Sequence, residues 1–485
     1  MSATLETPAS TAYAARSGAS DATSRHAARR RWVALGLLVS AQYVVMLDTS
    51  IVNVALPSIQ ADLGLSPTAV TWVVNAYVLA FGGLLLLSGR VADLFGRRRM
   101  FAGGSALFTL GTLLAAAATN QGLLLGGRII QGVGAAALSP AAMSLLLLTY
   151  PGSTRARAMS IWGAASALGG ATGVMVGGLL VGSLGWSSVF VVTVPFSVAA
   201  VALARFVLPE GARGPRRRFD WLGAATITGA VLALVHGALG IAERGLASPT
   251  VLASLGASAG LVAFFIAVER RNPDPLVPLE LFRSRALSAG VTLAVLGGAA
   301  RASTFVLVAL YLQQALGMAP RQAGLSMVPT SLTGFVVSLA LLPRILRALG
   351  PQRTLVLGLV VLAAGHLWLA NAPMEAGYAV AVLPGLLLAA IGVALSFTPT
   401  TMVIAAAAPD SHTGLASGLA GAATQVGAAL GTATFTAVGI CVGAEGATTL
   451  NPAGFTAAFT AAAVVALATA ALGSASARTP RTRTP

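Results

Sequence analysis

The chain has 485 residues, 56% of them hydrophobic and only 9% charged, with a formal net charge of +16 and a mean hydropathy of +0.83. A soluble domain carries roughly a quarter charged residues, so this chain cannot cover a globular surface in water and reads as an all-α membrane protein. The basic residues, all arginine, fall in short clusters between apolar segments and aromatic residues are only 6%, so nucleic acid is not expected as a partner, while the single cysteine, Cys441, excludes an internal disulfide and a cysteine-based metal cluster.

Residues 1–31 are rich in Ala, Ser, Thr and Arg without an apolar core and predict a disordered tail. The apolar run from Trp32 is too long for the h-region of a signal peptide. A spanning helix takes about 20 apolar residues, and the polar breaks allow fourteen such segments. The first six lie at about 33–56, 69–89, 99–118, 122–147, 158–182 and 187–208. Two follow at about 221–242 and 251–268, and the last six at about 286–312, 322–343, 353–371, 378–404, 413–440 and 455–474.

An even number of spans puts both termini on one side. With the N-terminus inside, the inner segments collect Arg25, Arg29 to Arg31, the arginines of GRVADLFGRRRM (89–100), Arg155, Arg157, Arg213 and Arg216 to Arg218. They also hold Arg270, Arg271, Arg283, Arg285, Arg344, Arg347, Arg353, Arg478, Arg481 and Arg483, which leaves Arg244 and Arg321 outside. Positive residues favour the cytoplasmic side, so both termini are expected in the cytoplasm of a cell-membrane protein.

Sliding the chain by 254 residues lays PRILRALGPQR (343–353) on GRVADLFGRRR, with Arg90 on Arg344, Gly96 on Gly350 and Arg99 on Arg353. The same shift superposes Gly173 on Gly427 and Gly177 on Gly431. Two matches at one offset imply a duplicated six-helix unit in the same membrane sense, the arrangement of carriers with a midplane site between their halves. The expected organisation is a first bundle at 32–208, a linker with two extra spans at 209–285, a second bundle at 286–475 and a short tail at 476–485.

LDTSIVNVALPSI (47–59), GRVADLFGRRR, RIIQGVGAA (128–136), YLQQALGMAPRQAGLSMVP (311–329) and GLASGLAGAATQVGAALG (414–431) together resemble the major facilitator superfamily, specifically its fourteen-helix drug:proton antiporters. The resemblance implies the major facilitator fold, two six-helix bundles plus two inserted helices, and proton-coupled export of small amphipathic molecules by alternating access. It implies no cofactor beyond a proton gradient, and a monomer whose partners are its small-molecule substrate, protons and lipid. The sequence departs from the pattern at Val174, where such carriers hold a proline, and at Thr424, where they often hold an arginine. Import of a metabolite and a non-transporting receptor or scaffold are the alternatives. No nucleotide-binding or hydrolase motif is present in the sequence, and no enzyme is expected.

Asp48 is the one carboxylate expected deep in a span, about 25 Å from the inner surface at 1.5 Å per residue. It reads either as a proton carrier or as a structural hydrogen-bonding aspartate near the outer interface. Arg128, about 9 Å below the outer surface, reads either as its partner, in a cavity where substrate and proton compete, or as an arginine snorkelling to the headgroups. Arg301, about 22 Å into its span, either attracts an anionic or carbonyl-rich substrate, or neutralises Asp48 across the pseudo-axis, or owes its apparent depth to a misplaced span boundary. Gly89, Arg90, Asp93, Gly96, Arg97 and Arg98 form either a candidate cytoplasmic gate, in which Asp93 accepts from Arg97, Arg98 or a facing helix N-terminus, or a solvated anchor loop, which explains the arginines but not Asp93 between two glycines. Gly169, Gly173 and Gly177, with Gly178, form a small-residue packing stripe. Gln42, Asn53, Trp72, Asn75, Tyr77, Gln131, Gln313 and Gln314 are further cavity candidates, about half of them expected to serve as interhelical hydrogen bonds or interface aromatics instead. No metal site is expected at His236 or His366.

Overall fold

A computed structural model describes residues 9–210, 220–245, 247–372, 377–409, 412–443 and 450–478. Arg213, Arg216, Arg217, Arg218, Arg481 and Arg483 lie outside the described residues. Those that are described fold into helices and their connections, with no strand among them.

The first six spans are α1 (Ala9–Leu63), α2 (Pro67–Phe95), α3 (Arg97–Ala116), α4 (Gln121–Thr149), α5 (Ser153–Leu184) and α6 (Ser188–Val207). Two more, α7 (Trp221–Arg244) and α8 (Pro249–Glu269), precede the second six. These are α9 (Arg285–Ala315), α10 (320–349), α11 (351–370), α12 (Tyr378–Ala407), α13 (Thr413–Gly443) and α14 (Pro452–Arg478). Among the described residues thirteen stretches are long and apolar enough to cross a membrane; one of them, Gln322–Ala370, is 49 residues long and turns at Gly350 into α10 and α11, which makes fourteen candidate spans.

Local chemistry sets the helix starts. Ser66, with Pro67 in the first turn, caps α2 by accepting from the Ala69 amide at 3.2 Å. Asn120 caps α4 through the Leu123 amide at 2.9 Å, and Asp220 caps α7 through the Gly223 amide at 2.8 Å. α1 is helical from Ala9, ahead of the span expected at about 33–56. The leading stretch is rich in Ala and Arg, good helix formers, and a helix can propagate outward from a membrane span without burying an apolar face.

The internal repeat is visible in the backbone. Gly96 (φ 103°) breaks α2 from α3, and its counterpart at the 254-residue shift, Gly350 (φ 74°), breaks α10 from α11. Both conformations favour glycine, since residues with a side chain rarely adopt so positive a φ. Glycines also seat equivalent helix pairs. A Cβ added to Gly104 of α3 would lie 2.7 Å from the Leu138 nitrogen of α4, and one on Gly358 of α11 would lie 2.7 Å from the Ser396 nitrogen of α12. Gly111 against Gln131 and Gly365 against Ala389 repeat the relation one step along.

Replacing Gly111 with valine drives a side chain into the α4 backbone at Gln131. We expect a loss of at least ~1–3 kcal/mol, read as a lower unfolding temperature of the purified protein, while Gly126→Val, which meets open space, stays near wild type.

The two bundles meet along α2 with α13 and along α5 with α10 and α12. Gly163 on α5 faces Thr398 of α12, Gly170 faces Ser331 of α10, and Gly82 on α2 faces Gln425 of α13. The inserted α7 packs on both α2 and α13, at one edge of that seam.

Candidate functional site

The Asp48 side chain is 0% exposed, enclosed by other elements of the first bundle. Its Oδ2 accepts from Arg128 Nη1 at 2.8 Å and its Oδ1 from Gln131 Nε2 at 2.7 Å. Arg128 also donates through Nη1 to Gln131 Oε1 at 2.6 Å and through Nε to the Val73 carbonyl at 3.0 Å. Gln131 closes the network by donating to Thr112 Oγ1 at 3.0 Å. The guanidinium lies over the Tyr77 ring, 4.4 Å from its centroid, with Phe190 on another side at 6.0 Å. One carboxylate thus ties α1 to α2, α3 and α4.

Helix geometry explains the convergence. Arg128 and Gln131 are three residues apart on α4, so both reach the same face, and Gly111 and Gly127 let α3 and α4 approach closely enough for Thr112 to join them. Arg128 turns inward and does not snorkel. In this structure both carboxylate oxygens are occupied and the cluster has no exposed surface.

α5 is pressed against α1 on either side of the acid. A Cβ on Gly169 would lie 2.6 Å from the Tyr43 carbonyl, one on Gly173 2.7 Å from Ser50 Cβ, and one on Gly177 2.9 Å from Ile51 Cγ1. Gly178 faces open space and is not part of that contact.

At the arginine-rich end, Asp93 crosses the seam. Its Oδ1 accepts from the Gly414 amide at 2.9 Å and from Arg97 at 3.1 and 2.8 Å, and its Oδ2 from the Leu415 amide at 2.7 Å. Gly414 and Leu415 lie in the first turn of α13, whose unpaired amides and dipole favour a carboxylate. Gly89 makes the approach possible: a Cβ there would overlap the Gly414 carbonyl oxygen and lie 2.9 Å from Gly418 Cα. Arg98 does not reach Asp93; it pairs with Glu210 at 3.2 Å, because its side chain leaves α3 toward the end of α6. Arg90 donates to the Pro275 carbonyl at 3.2 Å, linking the turn to the segment after α8.

The other candidates divide. Gln42 donates to Ser166 Oγ at 2.9 Å, joining α1 to α5. Trp72 stacks on His236 of α7 with ring centroids 6.0 Å apart, and Asn75 is half-buried on α2. Asn53 and Gln313 are exposed and donate to carbonyls of their own helices, while Gln314 accepts from the Leu450 amide at 3.3 Å. None of these three joins the Asp48 cluster. Arg301 does not neutralise Asp48: it lies in the second bundle, 4% exposed, with Nη1 3.5 Å from Thr400 Oγ1. His366, fully buried, bonds Thr304 Oγ1 at 2.7 Å. Thr112 and Phe190 went unmarked in the sequence, because an apolar span gives a threonine or phenylalanine no distinguishing neighbours.

Comparison with known proteins gives consistent relatives. The family profile described as Major Facilitator Superfamily matches residues 38–432 and 294–485. The chain is 36% identical over 404 residues to a cephamycin export protein of Amycolatopsis lactamdurans, covering 82% of this chain and 83% of that protein. It is 37% identical over 408 residues to a puromycin resistance protein of Streptomyces alboniger, covering 83% and 81%. Among solved structures, a human organic anion transporter superposes with a TM-score of 0.67 at 16% identity, covering 92% of this chain and 99% of the other, a likeness of fold alone.

Proposed function

The chain belongs to the Major Facilitator Superfamily, and we propose that it expels small amphipathic molecules, an antibiotic or related metabolite, in exchange for protons. It is a multi-pass membrane transporter and not an enzyme. The observation that carries the proton-coupled reading is the fully buried Asp48, held at both oxygens by Arg128 and Gln131. A carboxylate sequestered in a membrane bundle is stable there only while paired. Protonation removes its charge and weakens its hold on Arg128, so a proton alters the contacts among α1, α2, α3 and α4. Asp93 supplies the second element, a latch at the arginine-rich end whose bonds to the start of α13 hold the two bundles together. Alternating access requires that latch to break and re-form while the glycine-lined seams of α2 and α5 slide.

Export is supported by relatives named for export and resistance, which do not favour the importer and scaffold readings. The arginine distribution supports a plasma-membrane protein with both termini in the cytoplasm. One chain supplies both bundles and their seam, which supports a monomer as the working unit.

Everted membrane vesicles containing the protein test the reading with a panel that includes puromycin, a cephamycin and cationic dyes. Accumulation inside that collapses when the proton gradient is dissipated is the expected result. Partitioning that ignores both the gradient and the protein contradicts it.

A further inference from the structure

Arg301 is the unsolved charge of the second bundle. Its side chain is 4% exposed, yet among the described residues it meets only one hydrogen-bond acceptor, Thr400 Oγ1, at 3.5 Å from Nη1, and Nε and Nη2 have none. The sequence between Arg285 and Arg478 contains three carboxylates, Glu375, Asp410 and Glu445, all outside the membrane spans. Asp48, the deep acid of the other bundle, is already bound at both oxygens. The protein therefore buries a permanent cation inside the membrane without providing its counter-ion, an arrangement that costs several kcal/mol when nothing offsets it.

The unpartnered atoms have a specific shape. Nε and Nη2 lie on the same edge of the planar guanidinium, the edge that grips a carboxylate through two parallel N–H···O bonds. Thr400 meets the opposite nitrogen at 3.5 Å, so the Nε/Nη2 edge is the part of the fork left unpaired. Its place in the fold suits a ligand site. Arg301 sits between α9 and α12, the pair that corresponds through the internal repeat to α1 and α4, where Asp48 meets Arg128. α12 also belongs to the seam, since its Thr398 faces Gly163 of α5 and the Thr398 hydroxyl has no hydrogen-bond partner among the described residues.

We propose that Arg301 is the anchor for a carboxylate on the transported molecule, which docks on the Nε/Nη2 edge and supplies the missing counter-ion. The proton site and the substrate charge site then lie in different bundles, Asp48 in the first and Arg301 in the second. This inference rests on the export reading and makes amphipathic organic acids the favoured class among its substrates.

The test uses full-length purified protein and a panel of aromatic carboxylates with their carboxamides, compared by ligand-induced shift of the unfolding temperature and by direct binding. Wild type is expected to bind at least one carboxylate tenfold or more tightly than its amide. Arg301→Gln should bind the two forms equally, and Arg301→Lys, which keeps the charge but not the fork, should fall between. Without ligand, Arg301→Gln should unfold at the same temperature as wild type or higher, because it removes an uncompensated buried charge; a purely structural arginine would give the opposite. Equal binding of acids and amides by wild type, or a preference that survives Arg301→Gln, overturns the proposal. Gradient-driven export of neutral compounds alongside that result would leave the transport reading standing, whereas no gradient-driven export of any compound would remove the reading beneath it.

Discussion

Asp48→Asn is expected to abolish gradient-driven accumulation in everted vesicles, by ~100-fold or more, while leaving the protein folded and in the membrane. Asparagine matches the aspartate in size and can still accept from Arg128 or Gln131, so the packing of α1 on α4 survives. What disappears is the group proposed to exchange a proton. Substrate exchange without a gradient, which needs no net proton movement, should continue and should lose its dependence on pH. Asp48→Ala should behave differently, because it removes the acceptor and the side-chain volume as well as the charge, leaving Arg128 and Gln131 without the group they share in a site 1% exposed. Removing one partner of a buried pair typically costs about 3–5 kcal/mol, so that variant is expected to lose both transport and stability. Coupled transport by Asp48→Asn at the wild-type rate contradicts the assignment.

Gly89→Val is expected to have the second largest effect, through the latch rather than the proton site. The added side chain overlaps the Gly414 carbonyl and presses on Gly418, both backbone, so α2 and α13 must separate at the arginine-rich end. Separation also pulls Asp93 away from the Gly414 and Leu415 amides. Hydrogen bonds to a charged group contribute about 1.5–3 kcal/mol each, enough to shift the balance of states tenfold or more. The clash lies between bundles, so each bundle keeps its fold. Spin labels at Phe95 and Leu349, exposed positions in the first and second bundles, with exposed Cys441 replaced by serine, should report a longer separation in Gly89→Val than in wild type. Identical distance distributions would show that the contact does not hold the end closed. Asp93→Asn should move the distribution in the same direction by less, since the asparagine keeps one acceptor.

The sequence makes some of this architecture legible because charge and glycine are conspicuous in an apolar chain. Asp48 and Arg128 stand out for their depth, and Gly96 and Gly350 for their places in a motif that recurs at one offset. Asp93 is legible as an acceptor between two glycines, but its principal partners are backbone amides of α13, which carry no side-chain signature. Gln131 looks like any polar residue of a span; only the three-residue spacing from Arg128 hints that it shares the acid. Gln313 and Gln314 mislead for the opposite reason, since polar side chains near a helix end bond nearby carbonyls and loop amides as readily as a ligand. The role of Arg301 is not legible in the sequence because helical depth gives a residue's height and not its neighbours, and the packing of α9 against α12 removes it from Asp48.

The central claim is that the buried carboxyl of Asp48 exchanges a proton when substrate moves, and proton release in weakly buffered solution measures it most directly. Adding a transported compound to the purified protein with a pH indicator present should release protons from wild type, up to about one per bound molecule, and none from Asp48→Asn under the same occupancy. Equal release from the two proteins would place the exchanging group elsewhere and contradict the account.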